Sequence, residues 1–163
     1  MKRFILKPFL LFVFGLVLGV ISRVFDIYFE TLGNIFSQMA IWILMGTLIA
    51  IFSKTKRMAM MNILSFCIGM LITYYVTAAI TNGVYSRTFI IGWTVFAFCS
   101  PILAFFAWMT KEEGWFSKVI SVGIVMVSIL SSILLFDRLR IYDLIIDVVL
   151  IYFLFFKTVK RDT

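Results

Sequence analysis

The chain has 163 residues, of which 63% are apolar and only 14% charged, whereas soluble domains have roughly 45–50% and about 25%. This number of charged residues is too small to cover the surface of a small soluble domain. The net charge of +7 does not indicate a nucleic-acid partner, because the basic residues flank apolar runs and form no basic stripe with interleaved aromatic residues. Composition therefore predicts an integral protein of the lipid bilayer.

Composition also limits the kinds of catalytic and metal sites that the chain can form. The two cysteines, Cys67 and Cys99, lie inside apolar runs, and the chain has no histidine. This pattern indicates neither a disulfide framework nor a metal site, since histidine is the commonest metal ligand. Nucleophilic catalysis by Ser–His or Cys–His pairs is excluded, and no glycine-rich phosphate loop is present. We expect no cofactor, no catalytic residue and no enzyme activity.

Six segments of the chain are long and apolar enough, or nearly so, to cross a bilayer as helices, which takes about 20 residues. They cover residues 4–24, 32–52, 58–81, 88–109, 116–136 and 141–156. The first resembles a signal peptide, but no small-x-small cleavage site follows it, so we interpret it as a retained helix. The links are short, so neighbouring helices should be antiparallel. The sequence predicts an all-α polytopic membrane protein, a single domain over residues 1–163 built as a six-helix bundle.

The basic residues predict its orientation. If the N-terminus is inside, eleven of the fifteen Lys and Arg residues lie inside: Lys2, Arg3, Lys7, Lys54, Lys56, Arg57, Lys111, Lys118, Lys157, Lys160 and Arg161. Only Arg23, Arg87, Arg138 and Arg140 lie outside. The positive-inside rule thus predicts a bacterial cytoplasmic membrane protein with both termini in the cytoplasm.

Small and polar residues recur at helical spacing. The first segment has a GxxxG pair, Gly15 and Gly19, and Pro101 interrupts the fourth segment. Two further stripes comprise Asn62, Ser65, Gly69, Thr73 and Thr77 in the third segment and Ser117, Ser121, Ser128 and Ser132 in the fifth. Such residues let helices approach closely. Gly15, Gly19, Asn62 and Gly69 therefore serve either packing within the bundle or docking of a partner, which would be another membrane protein or a second copy of the chain.

Acidic and arginine residues gather on the predicted outer side. The expected ligand-binding set is Arg23, Asp26, Glu30, Arg138, Arg140, Asp143 and Asp147. Asp147 is the most informative member, because it lies about two turns inside an apolar segment, where a charge costs at least a few kcal/mol unless it is paired or hydrated. It would bind a cation, carry a proton or anchor a polar substrate; the alternative is a structural ion pair with Arg23 or Arg140.

Three functional hypotheses follow. The first is a small transport or ligand-capture subunit that binds a polar or cationic ligand in an outward-facing charged pocket and relies on a partner for energy. The second is an accessory, scaffold, regulatory or immunity protein. The third is an intramembrane hydrolase with paired aspartates, although the Asn-x-Gly-Ala-type motif of such peptidases is absent.

Several positions resemble a family of small bacterial membrane proteins that is known only as a domain of unknown function. They are Ser22-Arg23 with Asp26, Trp42 with Gly46, Asn62 with Gly69-Met70 and Tyr74-Tyr75, and Trp93 with Ser100-Pro101 and Trp108. The resemblance covers most of the chain and implies no activity. The layout is also similar to that of substrate-binding subunits of energy-coupling-factor transporters, which implies docking through small residues of the first helix such as Gly15 and Gly19.

Overall fold

The computed structural model describes residues 6–81, 87–136 and 139–159, except the side chains of Glu30, Phe89, Leu135 and Phe136. This part of the chain is all-α, as predicted, and contains no strand. Its helices are α1 (Pro8–Tyr28), α2 (Glu30–Phe36), α3 (Met39–Phe52), α4 (Lys56–Ile80), α5 (Arg87–Met109), α6 (Trp115–Phe136) and α7 (Ile141–Ile151), followed by a π-helix (Tyr152–Phe156). Four of them, α1, α4, α5 and α6, are long and apolar enough to span a bilayer, so the chain is a membrane protein.

The prediction of six helices is wrong, because the second predicted segment, residues 32–52, is broken in two. Gln38 has an extended backbone (φ −79°, ψ 143°) between α2 and α3. At Gly33, α2 lies so close to the end of α1 that an added Cβ would approach the Asp26 Cα to 2.9 Å. On the other side of the break, the Trp42 indole N–H donates to the Phe36 carbonyl at 2.7 Å. These tertiary contacts, rather than a proline or glycine at the break, end α2.

Helix α3 lies at the centre of the bundle and contacts α4, α5, α6 and α7. Seven of its 14 residues are buried. Its length of about 21 Å is less than the roughly 30 Å of a bilayer hydrocarbon core. An enclosed helix need not reach both interfaces, because its neighbours separate its ends from lipid.

Helices α1 and α4 interlock through glycines. A Cβ on Gly15 would approach the Phe66 carbonyl oxygen to 2.2 Å, and one on Gly69 would approach the Phe12 carbonyl oxygen to 2.4 Å. Thr73 donates from its hydroxyl to the Leu16 carbonyl across the same contact at 2.7 Å. The GxxxG pair of α1 therefore faces α4 of the same chain, where Gly19 would meet the Thr73 hydroxyl at 2.2 Å.

Polar contacts define one end of the bundle. The Asn62 amide Nδ2 donates to the Ser53 hydroxyl at 2.9 Å and to the Leu6 carbonyl at 3.3 Å, which ties the starts of α4 and α1 to the end of α3. Trp108, near the end of α5, donates its indole N–H to the Ser53 carbonyl at 3.0 Å. The Lys111 ammonium donates to carbonyls at the end of the π-helix, including that of Leu154 at 2.8 Å.

The described basic residues divide between the two ends. This first end carries every described lysine together with Arg57: Lys7, Lys54, Lys56, Arg57, Lys111, Lys118 and Lys157. The opposite end carries Arg23, Arg87 and Arg140. It is the end at which Arg23 near the end of α1 donates to Thr81, which follows α4, at 3.3 Å.

Candidate functional site

A cavity of about 440 Å³ lies between α3, α4, α5 and α6. Its wall is formed almost entirely by apolar side chains from the middle turns of these helices, among them Trp42, Phe66 and Phe96. The volume is within the roughly 300–1,000 Å³ range of small-molecule pockets, which are mostly apolar. A cavity of this kind can hold an apolar molecule without desolvating a charge.

The cavity opens sideways, towards the surface that lipid would cover. Leu103 and Phe106 of α5 and Val127 of α6 line it and are also exposed on the outside of the bundle. Gly123 of α6 lines it as well, and a Cβ added there would meet nothing within 4 Å. An apolar molecule can therefore enter from the membrane between α5 and α6 without crossing a polar surface.

Pro101 shapes the α5 wall of the cavity. A proline has no N–H, so it leaves the carbonyl four residues earlier, that of Ala97, without its helical donor. The Ser100 hydroxyl donates to this carbonyl at 2.6 Å. Ser100 is buried and lines the cavity together with Ala97. The Ser-Pro pair thus keeps the wall free of an unpaired carbonyl, which is how membrane helices accommodate proline.

Two hydrogen-bonding side chains of the cavity remain available to a ligand. Thr47 of α3 and Trp93 of α5 line it, and neither side chain makes a hydrogen bond with another residue of the described ranges. Thr47 is buried in the bundle. A few polar groups in an otherwise apolar wall are what fixes the orientation of a bound molecule.

The predicted site residues Arg23 and Asp26 join α1 to α4. The Tyr74 hydroxyl donates to Asp26 Oδ2 at 2.7 Å, and an Arg23 guanidinium nitrogen lies 3.9 Å from the same oxygen. Arg23 also reaches Thr81 beyond α4. Sequence reasoning missed Tyr74 as a partner of Asp26, because nothing in the spacing shows which face of α4 meets the end of α1.

The other two acids of the predicted set with described side chains, Asp143 and Asp147, are buried in α7. The Ser128 hydroxyl of α6 donates to Asp147 Oδ1 at 2.6 Å. Asp143 Oδ2 accepts the Arg140 backbone N–H at 3.0 Å, as an acidic residue at the third helical position does in a capping box. The Arg140 guanidinium contacts the Tyr142 hydroxyl and lies 5.7 Å from the centre of its ring. Asp147 therefore joins α7 to α6 through Ser128, one of the four periodic serines of the fifth predicted segment.

The expected charged set thus falls into two groups. The contacts of Arg23 and Asp26 share no residue with those of Asp143 and Asp147, and none of these four lines the 440 Å³ cavity. Arg138 and the Glu30 side chain lie outside the described residues. Among the His, Cys, Asp and Glu residues of the described ranges, no three form a cluster that would hold a metal ion.

The chain belongs to DUF6518, a family of unknown function whose model matches residues 1–140. This confirms the resemblance to an uncharacterised family. The four helices that enclose the cavity lie within the matched residues, whereas α7 with Asp143 and Asp147 follows them. No curated protein and no solved structure matches the chain.

Proposed function

We propose that this chain is a small membrane subunit that captures a mainly apolar molecule, with one or two hydrogen-bonding groups, from the bilayer. The observation that supports this proposal most strongly is the apolar cavity in the middle of the bundle, with its lateral opening between α5 and α6. The proposal keeps the ligand-capture role expected from the sequence but changes the chemistry of the captured ligand. A charged ligand would lose its hydration on entering the cavity, and the cavity wall offers no opposite charge to compensate.

The arrangement in the membrane is part of the same proposal. We infer six crossings, by α1, α3, α4, α5, α6 and the combined α7 and π-helix, with α2 as a short helix at the outer end. The lysine-rich end would face the cytoplasm, which the division of basic residues supports. Such an orientation places the cavity near the bilayer midplane, where small membrane transport proteins hold substrate between helices.

The matched pair Gly123→Trp and Gly92→Trp tests capture. Both glycines lie in helices, and an added Cβ would meet nothing within 4 Å at either position. Only Gly123 lines the cavity, so only its replacement should fill it. Native mass spectrometry of protein released from detergent should show co-purified small molecules on the wild type and on Gly92→Trp, and several-fold less on Gly123→Trp.

The outcomes separate the alternatives. Each of the three proteins must first be shown to be folded by size-exclusion chromatography. Equal amounts of co-purified small molecules on all three would then refute capture and favour the accessory or scaffold hypothesis. Under that hypothesis the contacts among Arg23, Asp26 and Tyr74 only hold helices together. A change of oligomeric state in Gly123→Trp alone would instead show that a second copy covers the cavity.

A further inference from the structure

Three polar side chains near the start of α3 and α7 are buried without full hydrogen bonding. Asp143 and Gln38 are 0% exposed and Asp147 is 3% exposed. Asp143 Oδ1, Asp147 Oδ2 and both polar atoms of the Gln38 amide have no hydrogen-bond partner. Buried polar groups are normally satisfied, so four orphaned atoms in one part of a bundle require a reason.

The packing of α3 against α7 brings the start of α3 to the part of α7 that carries the aspartates. Ile35 and Ala40, on either side of the α2–α3 break, belong to the same apolar cluster as Ile146 and Leu150. Ile146 precedes Asp147 directly in α7. The break between α2 and α3 therefore adjoins the turn of α7 that carries the carboxylates. Irregular backbone at membrane depth is tolerated where it is enclosed by protein or lines a site.

The charges of the two carboxylates have too little compensation. Each accepts one hydrogen bond, from Ser128 for Asp147 and from a backbone N–H for Asp143. Neither carboxylate takes part in the described salt bridges, which join Arg23 to Asp26 and Lys56 to Glu112. Two ionised carboxylates one helical turn apart in a dry interior repel each other and lose their hydration. A cation between them removes both penalties.

We propose that Asp143, Asp147 and Gln38, with the Ser128 hydroxyl, form a buried binding site for an alkali-metal cation such as Na⁺. The ligands would be the oxygen atoms of these four side chains, and oxygen suits hard cations; the Gln38 Nε2 atom is a hydrogen-bond donor and takes no part. Three orphaned oxygens and one hydroxyl are too few for Ca²⁺, which takes six to eight, and Mg²⁺ keeps several waters that a fully buried site would not admit. In membrane transport proteins, unwound backbone beside a break in a helix coordinates Na⁺, and the backbone between α2 and α3 is extended at Gln38.

Cation-dependent thermal unfolding in detergent tests the site. Purified protein is titrated with NaCl or KCl at constant ionic strength, with choline chloride as the balancing salt. We expect the unfolding temperature of the wild type to rise with Na⁺ or K⁺ and to saturate. Asp147→Asn and Ser128→Ala should each raise the half-saturating concentration, Asp147→Asn by at least about tenfold, as the loss of a charge-assisted contact implies.

Asp26→Asn is the matched control, because it removes a carboxylate whose partners are Tyr74 and Arg23. It should lower the unfolding temperature while leaving the half-saturating concentration unchanged. Binding of radioactive ²²Na⁺ to wild-type protein gives a second measurement that does not depend on the folding of a variant. Identical unfolding temperatures in all three salts, together with no ²²Na⁺ binding, overturn the proposal. Stabilisation that depends on pH and not on the salt also overturns it, because Asp143 and Asp147 would then share a proton instead of a cation. A response to Ca²⁺ or Mg²⁺ only would also overturn it.

Discussion

Replacing Gly15 by alanine tests the α1–α4 contact most directly. The added Cβ would lie 2.2 Å from the Phe66 carbonyl oxygen, whereas ordinary van der Waals contact begins at 3.4 Å. One helix must therefore move by about 1.2 Å, the difference of these two distances. The obstacle is backbone, so no side-chain rotation can relieve it. Overpacking of this kind costs about 1–3 kcal/mol.

The assay is the fraction folded in mild detergent during titration with SDS, followed by intrinsic tryptophan fluorescence. Gly15→Ala should lose about 1–3 kcal/mol, and Gly92→Ala is the matched control. Nothing lies within 4 Å of an added Cβ at Gly92, so alanine should leave stability unchanged or raise it by up to about 1 kcal/mol through helix propensity. Equal midpoints for the two variants would refute the claim that close backbone approach requires glycine at position 15.

Two further predictions concern α5 and the orientation. Ser100→Ala leaves the Ala97 carbonyl without a donor and should cost about 1–3 kcal/mol in the same titration. Ser131→Ala is the control, because it removes a hydrogen bond to the Ser128 carbonyl, which is still positioned for its own helical donor. It should cost under about 0.5 kcal/mol. Equal losses for the two variants would contradict the role of Ser100 as the donor that replaces the N–H missing at Pro101. A green fluorescent protein fused to either terminus should fluoresce in bacterial cells, whereas alkaline phosphatase fused there should be inactive; opposite results at the two ends would exclude six crossings.

Much of the fold follows from the sequence, since apolar length and the position of lysines determine where long helices begin and end. Helices α4, α5 and α6 start and end within two residues of their predicted bounds. The α2–α3 break does not follow. Ser37 and Gln38 read as mildly polar residues within an apolar segment, and only the packing of Gly33 on α1 and the bond from Trp42 to Phe36 show that the helix must stop there.

The candidate sites divide in the same way. Asp147 is recognisable from sequence, because a carboxylate among isoleucines and valines has few physical explanations. Its partner Ser128 is one of four serines with the same periodicity, and their spacing does not reveal which of them meets α7. The apolar cavity has no sequence signal, because residues such as Leu103 and Val127 would look the same facing lipid, a neighbouring helix or an internal space.

Helix α6 separates the two proposed sites. Val127 and Ser131 line the cavity, while Ser128 bonds to Asp147 of α7. Successive residues of a helix point about 100° apart, so adjacent positions can face different neighbours. Filling the cavity at Gly123 leaves the Ser128–Asp147 bond in place, and Asp147→Asn leaves the cavity wall unchanged. The tests of apolar capture and of cation binding are therefore independent, and a negative result at one site does not weaken the proposal for the other.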